Sequence, residues 1–216
     1  MSESLSEVEF LDLINTQKSL SILTSDSELL KFDKHKNILL EILELMPFDN
    51  FIERIISRVK SAKYDLVFIS HVFFNSGMAC ENIDRLFEVC QKEEVKLAID
   101  CRLSYFLPIN FNAHYLIQPN IAFPKAHHSE IIKRQTIFRE QLFELDHFFL
   151  CEKNILSVNY NYHGPFITFA LPSSGHATKQ YEELKLYGVD CDVIENRLRF
   201  DFLKNEKIDL SFLKLK

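Results

Sequence analysis

In this chain of 216 residues, the side chains best placed for chemistry stand where two apolar runs end. The stretch YDLVFISHVFFNSG, residues 64–77, reads as a buried strand that stops on Ser70 and His71 and then turns through Asn75, Ser76 and Gly77. A second run, VKLAID at 95–100, stops on Asp100. In open parallel sheets the carboxyl ends of the strands are where ligands bind. A carboxylate there either caps a loop or helix, or neutralises a cationic partner such as a protonated ring nitrogen. His71 is a hydrogen-bonded loop histidine or a polar neighbour of such a ligand. Arg197 and Arg199 stand two apart in a strand and so share a face. One of them has the fork that clamps a carboxylate through two bonds; the alternative is surface pairing with Asp201 or Glu195. His127 and His128 sit at a helix start without a third ligand at metal-binding spacing. His114, His147, His163 and His176 have no partner assignable from spacing.

The elements that would position these groups alternate between strand and helix. SLSILTS (19–25) reads as a strand, and SELLKFDKHKNILLEIL (27–43) has apolar residues at helical spacing behind Ser27 and Glu28. FDNFIERIISRVKSA reads as a helix with Asp49 as N-cap and Phe51, Ile52, Ile55, Ile56 and Val59 on one face. After the strand ending at Ser70 comes ENIDRLFEVCQKEE, a helix with Ile83, Leu86, Phe87 and Cys90 inward, and then the strand ending at Asp100. Short continuous apolar strands indicate a parallel sheet covered on both faces. A right-handed crossover would make the last two strands neighbours and bring Ser70, His71 and Asp100 to one sheet edge.

From Cys101 the character changes. Residues 101–128 are rich in Pro, Asn and aromatics and read as loop, and 129–150 as a long amphipathic helix. GPFITFALP (164–172) is a strand, residues 173–188 a helix capped by Ser173 or Ser174 and ended by Gly188, and 189–203 two strands around Glu195-Asn196. The fold class expected is α/β: a partial parallel-sheet α/β/α large domain over 1–125, followed by a small α/β domain over 126–216.

Composition excludes several classes. The net charge of -6 and the lack of a basic block argue against a nucleic-acid or anionic-membrane surface. No apolar run is long enough to span a bilayer, and Met1–Glu9 lacks the apolar core of a signal peptide. Five scattered cysteines with no CxxC spacing fit a reducing cytoplasm better than a zinc site or disulfide framework. Glycine is scarce, and neither GxGxxG nor GxxxxGK[ST] occurs, so no Gly-rich phosphate cradle is present.

Taken in order, the blocks DLVFISHVFFNSG, VKLAID, GPFITFAL and YEELKLYGVDCDVIENRLRFDF resemble the class V aminotransferase family of pyridoxal-phosphate enzymes, its kynureninase and cysteine desulfurase branches in particular. The likeness covers roughly residues 19–100 and 129–203. It implies pyridoxal 5'-phosphate as cofactor, an amino acid as substrate, a reaction of transamination, desulfuration or side-chain cleavage, and a homodimer. It also implies that Asp100 pairs with the pyridinium nitrogen, that Ser70, His71 and Asn75 lie beside the cofactor ring, and that Arg199 binds the substrate carboxylate. The family's Schiff-base lysine follows a Ser/Gly-x-His/Tyr-Lys pattern that is missing here. Lys125, in FPKAHH, stands at a compatible distance from Asp100 and is the candidate, an ordinary surface lysine being the alternative. The family's His three residues beyond the aspartate is missing, since Asp100 is followed by Cys101-Arg102-Leu103 and then Ser104. The chain therefore looks like the family with pieces removed, and the alternative function is a catalytically inactive scaffold serving as a binding or dimerisation module.

Overall fold

The computed structural model describes residues 2–25, 38–45, 48–73, 77–104, 109–118, 157–158 and 166–201. The expected helix at 129–150, His127, His128, Asn75 and Lys125 lie outside the described residues. The chain divides into two compact units, Met1–Phe73 with Ala79–Ala122, and Phe74–Met78 with Phe123–Lys216.

The first unit is built on six parallel strands: β1 (Glu3–Leu5), β2 (Leu20–Thr24), β3 (Ile38–Ile42), β4 (Leu66–Ser70), β5 (Lys96–Asp100) and β6 (Tyr115–Ile117). Their order across the sheet is β1-β6-β5-β4-β2-β3. Helices α1 (Glu7–Asn15), α2 (Phe51–Ser61) and α3 (Ile83–Lys92) connect and cover them. Alternation along the strands sends side chains to two apolar layers. Leu23, Val67, Ile69, Leu97, Ile99 and Leu116 pack with Phe51, Ile55 and Val59 of α2 and Ile83, Leu86 and Cys90 of α3. The residues between them, Ile22, Phe68, Ala98 and Ile117, pack with Phe10 and Ile14 of α1. Burial on both faces is why these strands are continuous apolar runs.

Two expectations fail here. Ile38–Ile42, read as the end of a helix, is a strand in parallel register with β2, Leu20 opposite Ile38 through Thr24 opposite Ile42. A short ILLEI run satisfies either period, and pairing with the open edge of β2 decides between them. Asp49 lies within a 3-10 turn, Phe48–Asn50, and Asn50 takes the cap position without a side-chain cap bond. Arg54 Nε instead donates to Asn50 Oδ1 at 3.1 Å. Sequence reading also passed over β1, α1 and β6. Helix α1 starts on a complete capping box, in which Ser6 Oγ accepts from Glu9 N–H at 3.2 Å and Glu9 Oε2 accepts from Ser6 N–H at 2.7 Å.

The second unit contains a four-stranded antiparallel sheet in the order β7-β8-β10-β9, with β7 (Ser157–Val158), β8 (Phe166–Ala170), β9 (Asp192–Ile194) and β10 (Arg197–Asp201), and the helix α4 (Ser174–Leu186). Ser173 caps α4 by accepting from His176 N–H at 3.3 Å. Gly188, at φ 75°, ends it: Val189 N–H donates to Leu184 C=O and Gly188 N–H to Lys185 C=O. That bond pair defines a Schellman end, whose left-handed residue favours glycine.

Two predictions follow from the first unit's core. Leu97 is fully buried in β5, so Leu97→Ala should cost about 2–5 kcal/mol in urea unfolding. His114 holds the neighbouring strand by accepting from Leu97 N–H on Nδ1 at 2.9 Å, which only an unprotonated Nδ1 does. Burial, aided by the positive charge of Lys96, holds this ring below its ordinary 6.5. A depressed folded-state value means the contribution is complete above that pH and is lost as pH falls through and below it. Unfolding at pH 7.5 and pH 5 should differ by about 1 kcal/mol from this bond, and His114→Gln, which retains an acceptor, should flatten the difference.

Candidate functional site

The parallel register sets Ser70 opposite Asp100, and Asp100 opposite Ile117, so three strands end in one row. His71 continues this edge, its N–H donating to Asp100 C=O at 2.9 Å. Ser70, His71, Asp100 and Ser104 are all buried, a concentration of polar groups at the carboxyl ends of otherwise apolar strands. The sheet order reverses at β2 and β4, because the chain leaves β2 toward β3 but leaves β4 toward β5. Such a switch point is where open α/β sheets bind ligands.

Within this edge the groups are already engaged with each other. His71 Nδ1 and Ser104 Oγ are 2.8 Å apart, and the ring of Phe111 packs edge-on against the imidazole with centroids 4.7 Å apart. Asp100 is held by Arg102, two residues on. Arg102 Nε donates to Oδ1 and Oδ2 at 3.0 Å each, Nη2 donates to Oδ2 at 2.6 Å, and the backbone N–H of Arg102 donates to Oδ1 at 2.9 Å. Arg102 Nη1 reaches Glu7 Oε2, on the first turn of α1, at 2.8 Å. Asp100 shares strand parity with Ala98, which faces α1, and this is why a residue of α1 meets its partner.

Sequence reading placed Ser70, His71 and Asp100 at one edge, and the structure brings them together there. It missed Arg102 and Glu7, and it named Ser104 without its bond to His71. The signals were present: a D-x-R step at a strand end, in which the side chain two residues beyond an aspartate meets its carboxylate in a tight turn, and S-x-x-E at residues 6–9 announcing a helix. Arg199 belongs to the other unit. It is buried in β10, opposite Asp192 of β9 and Thr168 of β8, and binds Asp192 Oδ2 through Nη2 at 2.7 Å and Nε at 3.2 Å. Its partner is thus the cross-strand Asp192, where spacing alone had offered Asp201 or Glu195.

No protein-family model matches the chain, and no curated protein matches it by sequence. Its fold is similar to that of solved aminotransferases. One from Mycobacterium tuberculosis matches at a TM-score of 0.64 with 10% identity, over 88% of this chain and 67% of that one. Histidinol-phosphate aminotransferase from Clostridium acetobutylicum matches at 0.61 with 14% identity, over 90% and 76%. A PLP-dependent aminotransferase from Streptococcus suis matches at 0.61 with 12% identity, over 86% and 66%. The mostly parallel α/β sheet and the small antiparallel sheet are those of the aminotransferase fold, and at these identities the fold is what is shared.

Pyridoxal phosphate is therefore the group to test against the described residues, and the surroundings of Asp100 do not fit it. An aspartate sustains a protonated pyridinium by lending it an uncompensated negative charge. Here both oxygens of Asp100 already accept from a guanidinium, which neutralises that charge at contact distance and fills the directions in which a ring N–H would donate. Leu103 stands three residues beyond Asp100, where the histidine is expected, and the hydroxyl of the next residue, Ser104, is bonded to His71.

Thiol chemistry is disfavoured at the described cysteines of both units. Burial pushes the thiols of Cys80, Cys90, Cys101 and Cys191 up to about 12, and the charge of Asp100 adds to the effect on Cys101. Iodoacetamide at pH 7.5, followed by peptide mass mapping, should leave these four unlabelled in the native protein and label them fully in urea, because the thiolate is the reacting species.

Proposed function

We propose that this chain is a class V aminotransferase-like protein that no longer turns over amino acids and serves as a binding or dimerisation module on the aminotransferase fold. The guanidinium of Arg102 on Asp100 carries the reading, because it places a fixed cation where the cofactor's ring nitrogen would need the carboxylate. Two features of the sequence support it: the Ser/Gly-x-His/Tyr-Lys context is missing, and Leu103 stands where the family's histidine is expected. Without a positioned amine, no covalent attachment of the cofactor begins. The likeness to a PLP-dependent aminotransferase favours a second reading, an amino-acid enzyme that attaches its cofactor through Lys125.

The experiment that separates them is an absorbance titration of the purified protein with pyridoxal phosphate, before and after borohydride, followed by peptide mapping. The expected result is no saturable visible band and diffuse labelling of surface lysines. One reducible band mapped to Lys125, abolished by Lys125→Ala, would overturn the proposal and restore the enzyme reading. Light scattering on the same sample should read the mass of two chains; a monomer at all concentrations would remove dimerisation from the proposal.

A further inference from the structure

We infer that the carboxylates of Asp100 and Glu7 form a receptor for a planar guanidinium ion, filled in the native chain by its own Arg102. This internal occupant ties the β1–α1 segment to the carboxyl edge of the parallel sheet. The inference deepens the reading above by naming what stands on Asp100. Its test uses no pyridoxal phosphate, so the two can fail separately.

The geometry is that of a fork held at both ends. Nε and Nη2 of Arg102 face Asp100, and Nη1 faces Glu7 at 2.8 Å. A guanidinium presents donors on three nitrogens in one plane and can bridge two carboxylates at once, whereas an ammonium acts as a point charge. The two acids come from distant parts of the chain, Asp100 from the end of β5 and Glu7 from the first turn of α1. Their convergence is fixed by independent contacts. β1 pairs with β6 in parallel register, Ser6 and Glu9 close the capping box, and Phe10 stacks on Phe68 with ring centroids 5.3 Å apart. The scaffold that presents the two carboxylates therefore does not depend on the guanidinium alone. The Asp100 side chain is only 9% exposed and that of Glu7 33%. Removing the cation leaves two like charges near each other with one of them shut away from water, which is strongly unfavourable. A free guanidinium ion of the right shape would relieve it.

The test is chemical rescue of Arg102→Ala in the full chain, read by thermal unfolding. The variant should melt about 5–10 °C below wild type. Guanidinium chloride up to about 20 mM, far below denaturing concentrations, should recover several degrees along a saturating curve, as a ligand that binds only the folded state does. Wild type should show no rise. Sodium chloride and tetramethylammonium chloride at equal ionic strength should not substitute. Full recovery by those salts would reduce the effect to charge screening and overturn the receptor. So would an Arg102→Ala protein that melts within about 1 °C of wild type, a difference too small for the loss of a buried partner. If Arg102→Ala does not fold, Arg102→Lys retains one positive charge and gives the second reading. It should fold, melt below wild type and gain nothing from guanidinium; a Lys variant as stable as wild type would overturn the role of the fork.

Discussion

Burying a parallel sheet on both faces leaves its polar residues one place to go, the strand ends, and the rest of the first unit follows from that constraint. β4 and β5 are apolar along their length because α1 covers one face and α2 with α3 the other. β4 then stops on Ser70 with His71, and β5, apolar after its exposed Lys96, on Asp100. Parallel pairing in register brings these stops level. Groups that water no longer reaches must find partners among themselves. The bonds of His71 to Ser104 and of Asp100 to Arg102 answer that requirement.

A carboxylate at such an edge has two stable fates: it keeps its charge for a ligand, or it is neutralised by the chain. Asp100 takes the second. Arg102 is so close in sequence that the turn itself delivers the guanidinium, and the Arg102 backbone N–H bonded to Oδ1 fixes that turn. Glu7 then restores an acceptor to the far side of the fork, so that the cation is shared between two elements. Arg199 in the second unit repeats the pattern, its fork closed on Asp192 in the adjacent strand. Asp100 and Arg199, which the class V likeness would assign to ligands, are thus each bonded to a side chain of this chain.

What could be read from sequence was what depends on local pattern. The apolar runs of β4 and β5, the amphipathic faces of α2 and α3, the Ser173 cap and Gly188 end of α4, and the turn at Glu195-Asn196 each carry their cause in a few adjacent residues. Ile38–Ile42 was misread because five apolar-rich residues fit a strand and a helix equally, and the vacant edge of β2 that decides the matter is not local. β1 and β6 escaped because three-residue strands have too few positions to show alternation. The site was legible to the same degree. Strand ends and register brought Ser70, His71 and Asp100 together, but the partner of Asp100 required knowing which way the turn after β5 folds back. The reach of Glu7 required an α1 that the sequence reading had passed over.

The separation between fold and chemistry has a physical basis. The two apolar layers and the strand order rest on many contacts, each replaceable, so the aminotransferase fold persists at 10–14% identity to its solved counterparts. Cofactor chemistry rests on a few groups whose charge must stay unspent, and one arginine two residues from the key aspartate is enough to spend it. That arginine also serves the fold, since it gives a buried carboxylate a partner from within the chain. An edge built this way no longer needs an exogenous cation to be stable. On the proposed reading, the bond that closes this edge to pyridoxal phosphate is also the bond that satisfies it.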